Sequence, residues 1–426
     1  MLAGRNKSWR LGQVLIAAMF GLNLLLFLHF RENLKRGYSD FTVFYTAGTI
    51  LRDGLGHQLY NNKVQYAVQN HFAGHIPLRN SSLPYIHPPF EAAIFLPLSG
   101  LPYQQAFAVW DMLNVAALFG VAVSLRRSVG VLRSIPPWKF AIAAIAFFPV
   151  FACLLEGQDS ILQLLLCGLA FNALKRKSDL LAGCWLGLAA FKFQFILPIV
   201  LLLVIWRRRS VALGFLAVAI LLVLASVGLV GLENSLQYPA YVLQIVQAPG
   251  LGGVRSELLP NLHGLATGWP LFSSAAGSGL AAVISIMLFL FAAWKGWPSP
   301  QPWPEHPRQL ELQFSLAIVV SGLIAWQTNL HDLSLLVLPL VLLADYCLDA
   351  KVQARGMGFA LLLPVLPLFV SPLWMPLWVV SGKLNLMVIP LLWWTWKISQ
   401  EFSPEPGMAA WREGSAGRAR NPETTK

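Results

Sequence analysis

Long apolar segments alternate with short polar stretches along almost the whole chain. A segment of about 20 mostly apolar residues is long enough to cross a bilayer as a helix. The pattern therefore predicts an all-α polytopic membrane protein with about 12 transmembrane helices. We place the segments at about 11–30, 103–125, 140–155, 159–174, 180–191, 194–206, 211–231, 273–294, 312–328, 333–348, 357–371 and 384–398.

The first apolar segment follows Arg5, Lys7 and Arg10, as the core of a signal peptide would. A cleavable signal has a shorter core, of roughly 7–15 residues, and a site of small residues after it. Here the segment continues without such a site as far as Arg31. It is therefore interpreted as an uncleaved first span.

Residues 31–102 form a long loop after this span, in which polar and apolar stretches alternate. Apolar residues recur at helical spacing from Phe41 to Leu51, and a second helix is expected over Asn61–Phe72. The stretch 88-PPFEAAIFLPLSGLP-102 is too short to cross a bilayer. The pattern predicts amphipathic helices that lie at the membrane interface in this loop.

Composition agrees with a membrane protein, since 56% of the residues are hydrophobic and 12% are charged, with a mean hydropathy of +0.60. The net charge of +12 comes from basic clusters in the short loops, which argues against a nucleic-acid partner. The positive-inside rule then places both termini in the cytoplasm. Residues 31–102 and 232–272 become outer loops of one membrane domain, 1–402, and 403–426 is expected to be a disordered cytoplasmic tail.

The four cysteines all lie inside apolar segments, and they form no CxxC or Cys/His spacing. They are therefore interpreted as buried hydrophobic residues rather than disulfide partners or zinc ligands. The sequence predicts no metal site and no cofactor.

Two candidate functional residues lie in the first outer loop. Asp40 precedes the helix over 41–51, where it serves either as the helix N-cap or as a general base. His87 lies beside Pro88–Pro89, where it is either a turn residue or a hydrogen-bond donor to a phosphate.

Further polar residues lie at the predicted outer ends of spans. In 156-EGQDSIL-162, Gln158 is expected to hydrogen-bond a substrate, and Asp159 either caps a helix or does the same. Lys192 is flanked by apolar residues, so it either snorkels to the interface or binds a lipid phosphate. Arg255, Asn261, His263, Asn329, His331 and Asp332 occupy the same predicted face. Asp111, inside the second span, either lines a cavity or pairs with a cation.

The chain resembles the GT-C superfamily of membrane glycosyltransferases, and in particular glycosyltransferase family 87. That family includes mycobacterial alpha-1,2-mannosyltransferases that use polyprenyl-phosphate mannose. The resemblance rests on 39-SDFTVFYTAGTILRDG-54 with 59-LY-60, 85-YIHPPF-90, 157-GQDSILQLLL-166, 191-FKFQFILP-198, 260-PNLHGL-265 and 331-HDLSLLVLPL-340. After GQ the family more often has asparagine, where this chain has Asp159.

The resemblance implies a GT-C-type bundle that transfers a hexose, best known as mannose, with inversion at the outer face of the cell (inner) membrane. The implied partners are a polyprenyl-phosphate sugar donor, a glycolipid or glycan acceptor, and membrane lipids. Asp40 is implied as the general base, with Lys192, Arg255 and His331 at the donor phosphate. The expected substrate-binding residues are Tyr45, His87, Gln158, Asp159, Asn261, His263 and Asp332.

A transporter or flippase of a lipid-linked sugar is the main alternative. It would share the spans, but it predicts charges near the bilayer midplane and helices broken in symmetric halves. The clustering of polar residues at one face favours an enzyme over a transporter or a scaffolding subunit.

Overall fold

The computed structural model describes residues 2–35, 39–73, 83–247, 258–268, 274–297, 308–348, 358–381 and 385–402. Within these ranges the chain is all-α and contains no strand, as predicted. The predicted tail 403–426 lies outside them. The α-helices are α1 Leu2–Lys35, α2 Phe41–Arg52, α3 Asn62–Ala73, α4 Pro89–Phe95, α5 Tyr103–Leu125, α6 Pro137–Ala146, α7 Phe148–Glu156, α8 Ser160–Lys175, α9 Asp179–Leu188, α10 Phe193–Ile205, α11 Arg209–Val230, α12 Leu232–Gln247, α13 Leu262–Thr267, α14 Ser274–Lys295, α15 Gln309–Ile324, α16 Val337–Cys347, α17 Val365–Phe369, α18 Ser371–Ser381 and α19 Val388–Gln400.

Five helical segments of the described chain are long and apolar enough to cross a membrane, and the bent pair α6–α7 makes a sixth if it counts as one span. This agrees with a polytopic membrane protein. The shorter apolar helices α8 and α15 match two more predicted segments, and the count of about 12 spans stays a prediction. The five segments are Gly12–Lys35, Tyr103–Leu125, Asp179–Ile205, Arg209–Val230 and Ala275–Lys295.

The segment predicted as one helix over 140–155 is two helices, α6 and α7, which meet at an angle of 86°. Phe147 between them has an extended backbone, with φ −73° and ψ 113°. Pro149 follows in the first turn of α7, where it favours a new helix start but cannot continue the hydrogen bonds of α6. The bend turns the end of α7 toward the first outer loop.

The segment Asp179–Ile205 folds back on itself as a hairpin. A straight helix of its 27 residues would extend for about 40 Å. Instead, Arg208 Nη1 just after the segment lies 2.7 Å from Asp179 Oδ1 at its start. The reversal occurs in the 3₁₀ turn Ala189–Lys192 between α9 and α10, which agrees with the two predicted segments 180–191 and 194–206.

Helix α2 is buried in the protein, whereas a surface helix was expected there. Every residue from Phe41 to Ile50 is buried. Two of its three threonines satisfy their hydroxyls inside the helix: Thr46 Oγ1 donates to Thr42 O at 2.6 Å and Thr49 Oγ1 donates to Tyr45 O at 2.8 Å. These internal bonds allow residues that count as polar in the sequence to face the core. The neighbouring helix α4 is likewise largely buried, at Pro89, Glu91, Ala92 and Phe95.

Charged groups concentrate at the two ends of the helical bundle. At one end, Lys175 Nζ lies 2.7 Å from Glu311 Oε1, close in the chain to the Arg208–Asp179 pair. At the other end lie the ends of α7 and the starts of α2 and α8, together with the α9–α10 turn. This second end carries the candidate site.

Candidate active site

Asp40 lies immediately before α2 and does not act as its cap, because its side chain makes no capping hydrogen bond. Its Oδ2 atom instead accepts a hydrogen bond of 2.9 Å from Gln158 Nε2. The carboxylate is therefore oriented by a residue far away in sequence. Of the two interpretations of Asp40, this geometry favours a functional carboxylate.

Gln158 reaches Asp40 because α7 ends in a left-handed turn at Gly157, where φ is +63°. A Cβ atom at Gly157 would lie 2.4 Å from Phe107 Cε2, so only glycine fits there. Trp110 Nε1 donates to Gly157 O at 2.9 Å, and Asn114 Nδ2 donates to Gln158 O at 3.1 Å. The turn that presents Gln158 is thus fixed by α5.

His331 connects the Asp40 region to a buried charge cluster. Its Nδ1 atom contacts Glu156 Oε2, and its Nε2 atom lies 3.5 Å from Asp332 Oδ1. Burial lowers the pKa of His331, but the carboxylates of Asp332 and Glu156 outweigh this effect and hold the pKa above its usual value. The carboxylates thus favour the protonated imidazole, and ligating atoms of Asp40, Glu156 and His331 all lie within 4.8 Å of one another.

Lys192 is 4% exposed and sits in the centre of the charge cluster. Its ammonium lies 2.8 Å from Asp159 Oδ1, and it donates at 2.6 Å to both Asp332 Oδ1 and Ser160 Oγ. Two hydrogen bonds and one further ion pair thus hold the ammonium within the protein. A snorkelling lysine would place its charge in solvent, so that interpretation does not apply.

Asp332 is fixed from two sides. Its Oδ2 atom accepts 2.7 Å from the backbone N–H of Asn329, while Oδ1 accepts from Lys192 and Ser160. Burial raises the pKa of Asp332, but Lys192 and His331 outweigh it, and the pKa lies below its usual value. Asp332 is thus an ionised acceptor that orients two cations.

A second chain of contacts leads from Lys192 to the first outer loop. Asp159 is hydrogen-bonded to the fully buried Glu91, and Glu91 Oε2 lies 3.0 Å from His87 Nδ1. Burial lowers the pKa of His87 to about 4, so the ring is neutral at physiological pH. The pKa values of His87 and His331 therefore shift in opposite directions, because burial dominates at His87 and the neighbouring carboxylates dominate at His331.

These groups border a small cavity of about 60 Å³. Ligand pockets usually measure about 300–1,000 Å³. The cavity as it stands thus has room for part of a sugar or a phosphate, and a complete substrate must extend beyond it. Its lining comprises Ile86, His87, Gln158, Phe191, Lys192, Phe193, Gln194, Tyr238, Val242, Trp326, Gln327, Asn329, His331 and Asp332.

An apolar groove of about 390 Å³ lies between α1, α5, α6 and α7. Leu155, in its wall, also packs against the core cluster that contains Phe41, and it directly precedes Glu156. The wall of the groove thus includes the residue that precedes Glu156 in the chain. Asp111 lines this groove and not the cavity beside Lys192, so neither of its predicted roles is tested. The lining comprises Phe20, Asn23, Leu24, Phe27, Asp111, Met112, Val115, Ile145, Phe151, Leu154 and Leu155.

The predicted site residues Tyr45, Asn261 and His263 lie outside the lining of the cavity beside Lys192. Tyr45 donates to Leu101 O at 2.8 Å inside the first-loop core. Asn261 caps α13, accepting from Gly264 N and donating to Ala325 O, and His263 is half-buried outside the cavity lining. The structure thus places these three outside the cavity, and their substrate roles remain predictions. Arg255 lies outside the described residues.

Glu91 and Glu156 are the site residues that were not predicted. Glu91 interrupts the apolar stretch 89-PFEAAIF-95, and a carboxyl group in such a stretch needs a partner. This signal was available in the sequence. Glu156 has a weaker signal, since a glutamate at a helix end is usually solvated.

Two sets of side chains have the composition and spacing to hold a metal ion: Asp40 with Glu156 and His331, and His87 with Glu91 and Asp159. In both sets the ligating atoms already contact each other, through His331–Glu156 and His87–Glu91. A cation would have to replace these contacts.

Comparison with known proteins supplies one finding. The model of glycosyltransferase family 87 matches residues 85–304, just over half of the chain. The match includes His87, Glu91, Gln158, Asp159 and Lys192, whereas Asp40 and His331 lie outside it. No curated protein and no solved structure matches the chain.

Proposed function

Since the chain belongs to glycosyltransferase family 87, a family of membrane glycosyltransferases, we propose that it transfers a hexose from a polyprenyl-phosphate donor to a glycolipid or glycan acceptor. Mannose is the first candidate for the hexose. The reaction would invert the anomeric carbon and take place at the outer face of the cell membrane. One observation carries the proposal: the Asp40 carboxylate is oriented by Gln158 and lies within 4.8 Å of His331, and both of these residues line the cavity.

Asp40 is proposed as the general base. A base must be held within reach of the proton that it removes. The hydrogen bond from Gln158 fixes one carboxylate oxygen and leaves the group oriented at the edge of the cavity that Gln158 lines. Positioning of this kind contributes to catalysis as well as basicity does.

In the proposed step, the acceptor hydroxyl oxygen forms a bond to the anomeric carbon, and its proton goes to Asp40. The bond between that carbon and the phosphate oxygen breaks, and its electron pair leaves with the polyprenyl phosphate. Charge grows on the departing phosphate, so a fixed cation near it lowers the barrier.

His331 is proposed as that cation. Its imidazolium lines the cavity and lies close to Asp40. Lys192 also lines the cavity, but its ammonium already contacts Asp159, Asp332 and Ser160. We therefore assign Lys192 to neutralising the two aspartates, which would otherwise repel the phosphate, and Arg255 remains a predicted phosphate ligand.

The apolar groove supports a lipid-linked substrate. It is lined by α1 and α5, and its wall includes Leu155, which directly precedes Glu156. A polyprenyl chain in this groove would bring its phosphate to the cavity while the chain stays in an apolar environment. A nucleotide sugar would have no use for such a groove.

The test is a transfer assay with purified protein, labelled polyprenyl-phosphate hexoses and a membrane lipid extract. We expect label in a glycolipid or glycan product together with release of polyprenyl phosphate. Movement of the intact donor across a vesicle bilayer without transfer would instead support the flippase alternative.

A further inference from the structure

The fully buried Glu91 lies between two groups that both face the candidate site. Its Oε2 atom is 3.0 Å from His87 Nδ1, and its carboxyl group is hydrogen-bonded to that of Asp159. Two carboxylates cannot both be ionised at such a separation in a buried place. One of the two therefore holds a proton.

That proton belongs to Glu91. Asp159 lies 2.8 Å from the Lys192 ammonium, which stabilises its ionised form. Burial, and then the charge of Asp159, raise the pKa of Glu91 well above its usual value. Glu91 is thus a neutral carboxylic acid whose single O–H donates to the Asp159 carboxylate, since a charge-assisted bond is the stronger one.

The protonation state of Glu91 determines the tautomer of His87. Because the Glu91 proton points to Asp159, Oε2 acts as an acceptor and receives the Nδ1–H of His87. A neutral imidazole with its proton on Nδ1 has a lone pair on Nε2. Among the described residues no group hydrogen-bonds to Nε2, although His87 lines the cavity.

The backbone around His87 is held by tyrosines. Tyr60 donates to His87 O at 2.9 Å, and Tyr85 donates to Pro88 O at 2.9 Å. The ring of Phe44 packs edge-on against the imidazole, with the ring centroids 4.8 Å apart. The ring edge that carries Nε2 is therefore presented in one orientation, as a binding group requires.

We propose that His87 Nε2 accepts a hydrogen bond from one hydroxyl group of a sugar substrate, and that Glu91 is the residue that positions His87 for this role. The inference rests on the proposed function. It makes His87 a specificity-determining residue for a neutral hydroxyl and not a phosphate ligand, because a lone pair repels a phosphate oxygen. The hydroxyl belongs either to the donor sugar or to the acceptor.

The first test pairs a protein variant with substrates that lack single hydroxyls. Wild type and His87→Ala are compared with polyprenyl-phosphate mannose, its monodeoxy analogues, and monodeoxy acceptors. We expect one deoxy substrate to lower wild-type kcat/KM by about 10–100-fold. His87→Ala should lower kcat/KM by a similar factor with the complete substrates and cause no further loss with that one analogue.

The position of the sensitive analogue shows whether the donor or the acceptor carries the hydroxyl. Equal losses for His87→Ala across every analogue would overturn the inference while leaving the proposed function intact. Absence of transfer by the wild type from any polyprenyl-phosphate sugar would instead overturn the proposed function.

The second test addresses the proton on Glu91. Glu91→Gln keeps a neutral group that donates to Asp159 and accepts from His87, so thermal stability and deoxy-sugar discrimination should stay near wild type. Glu311→Gln is the matched control, since Glu311 is 1% exposed but paired with Lys175. It should be clearly destabilised. The infrared spectrum of the wild type should contain a band of a protonated carboxyl that is lost in Glu91→Gln. If Glu91→Gln is destabilised as much as Glu311→Gln, the assignment of the proton to Glu91 would be overturned.

Discussion

Gln158 Nε2 donates a 2.9 Å hydrogen bond to Asp40 Oδ2, across 118 residues of sequence. The bond joins the first outer loop to the turn between α7 and α8, so the candidate base is positioned by a different part of the chain. This relationship leads directly to the first prediction.

Asp40→Asn should abolish sugar transfer and leave the protein folded. The amide has nearly the same shape but cannot accept a proton, and loss of a general base lowers rates by about 10²–10⁴-fold. Turnover in the transfer assay and thermal unfolding in detergent measure the two effects. Asp53→Asn is the matched control, because Asp53 lies in the same loop but its side chain is 46% exposed and paired with Arg52. Retained turnover in Asp40→Asn would remove Asp40 as the base.

The charge on His331 predicts how donor use depends on pH. Its carboxylate neighbours hold the pKa of His331 above the ordinary value of 6.5, so the imidazolium persists above that pH and is lost as pH rises through the raised pKa. The KM for the donor should therefore increase on the alkaline side, and the stability that the ion pairs provide should decline over the same range. His331→Gln should have a higher donor KM that changes little over this pH range. A wild-type donor KM that stays flat there would argue against a phosphate role for His331.

The sequence predicted which residues converge but not how they pair. Asp40, Gln158, Lys192 and His331 were expected at one face, because each lies at the outer end of a predicted span, and the fold brings them together. The partners of Lys192 could not be predicted, since Asp332 is 140 residues away and the apolar pattern carries no information on which loops touch. The bounds of α5, by contrast, match the predicted 103–125, because Pro102 precedes its apolar run and Arg126 and Arg127 follow it.

Two features of the fold were misjudged for physical reasons. The apolar residues of α2 recur at the spacing of an amphipathic helix, but the hydroxyls of Thr46 and Thr49 bond within the helix. The polar face of α2 is therefore buried as well. Apolar composition alone did not separate α6 from α7, because the extended residue at the break, Phe147, is itself hydrophobic. Periodicity predicts which residues avoid water but not where a helix bends.

Lys192→Met should primarily destabilise the protein. It would leave the buried Asp159 and Asp332 without their cation, and removing one partner of a buried ion pair costs about 3–5 kcal/mol. The triple variant Lys192→Met/Asp159→Asn/Asp332→Asn removes the charges together and should recover much of the lost thermal stability.

The triple variant also separates two roles of Lys192. Because Asp332 also holds up the pKa of His331, the reference for the triple variant is Asp332→Asn. If the lysine only neutralises the aspartates, the donor KM of the triple variant should lie within a few-fold of that of Asp332→Asn. A donor KM well above that of Asp332→Asn in a stable triple variant, with the acceptor KM unchanged, would establish direct contact between Lys192 and the donor phosphate.

Val115→Trp should impair the use of long-chain donors. Val115 lines the apolar groove, and the larger side chain would fill space that a polyprenyl chain is proposed to occupy. We expect the KM for a long-chain donor to rise about tenfold, which corresponds to loss of roughly two buried methylene groups. A short-chain donor should be little affected. Leu113→Trp is the control, because Leu113 is 51% exposed on the same helix and outside the groove. Equal effects of both variants on both donors would argue against a lipid in the groove.

The α9–α10 hairpin predicts that the loops on either side of Asp179–Ile205 lie on the same side of the membrane. Their residues Asp179 and Arg208 form an ion pair of 2.7 Å, which a helix that crosses the bilayer once would not allow.

Single cysteines at Lys177 and Arg207 in a cysteine-free background, each probed with a membrane-impermeant maleimide, test this directly. Both should react only after the membrane is permeabilised, because both lie in basic loops that the positive-inside rule assigns to the cytoplasm. A cysteine at Asp53 should react in intact cells. Labelling of positions 177 and 207 from opposite sides would mean that the segment crosses once, and the orientation of every later span would then reverse.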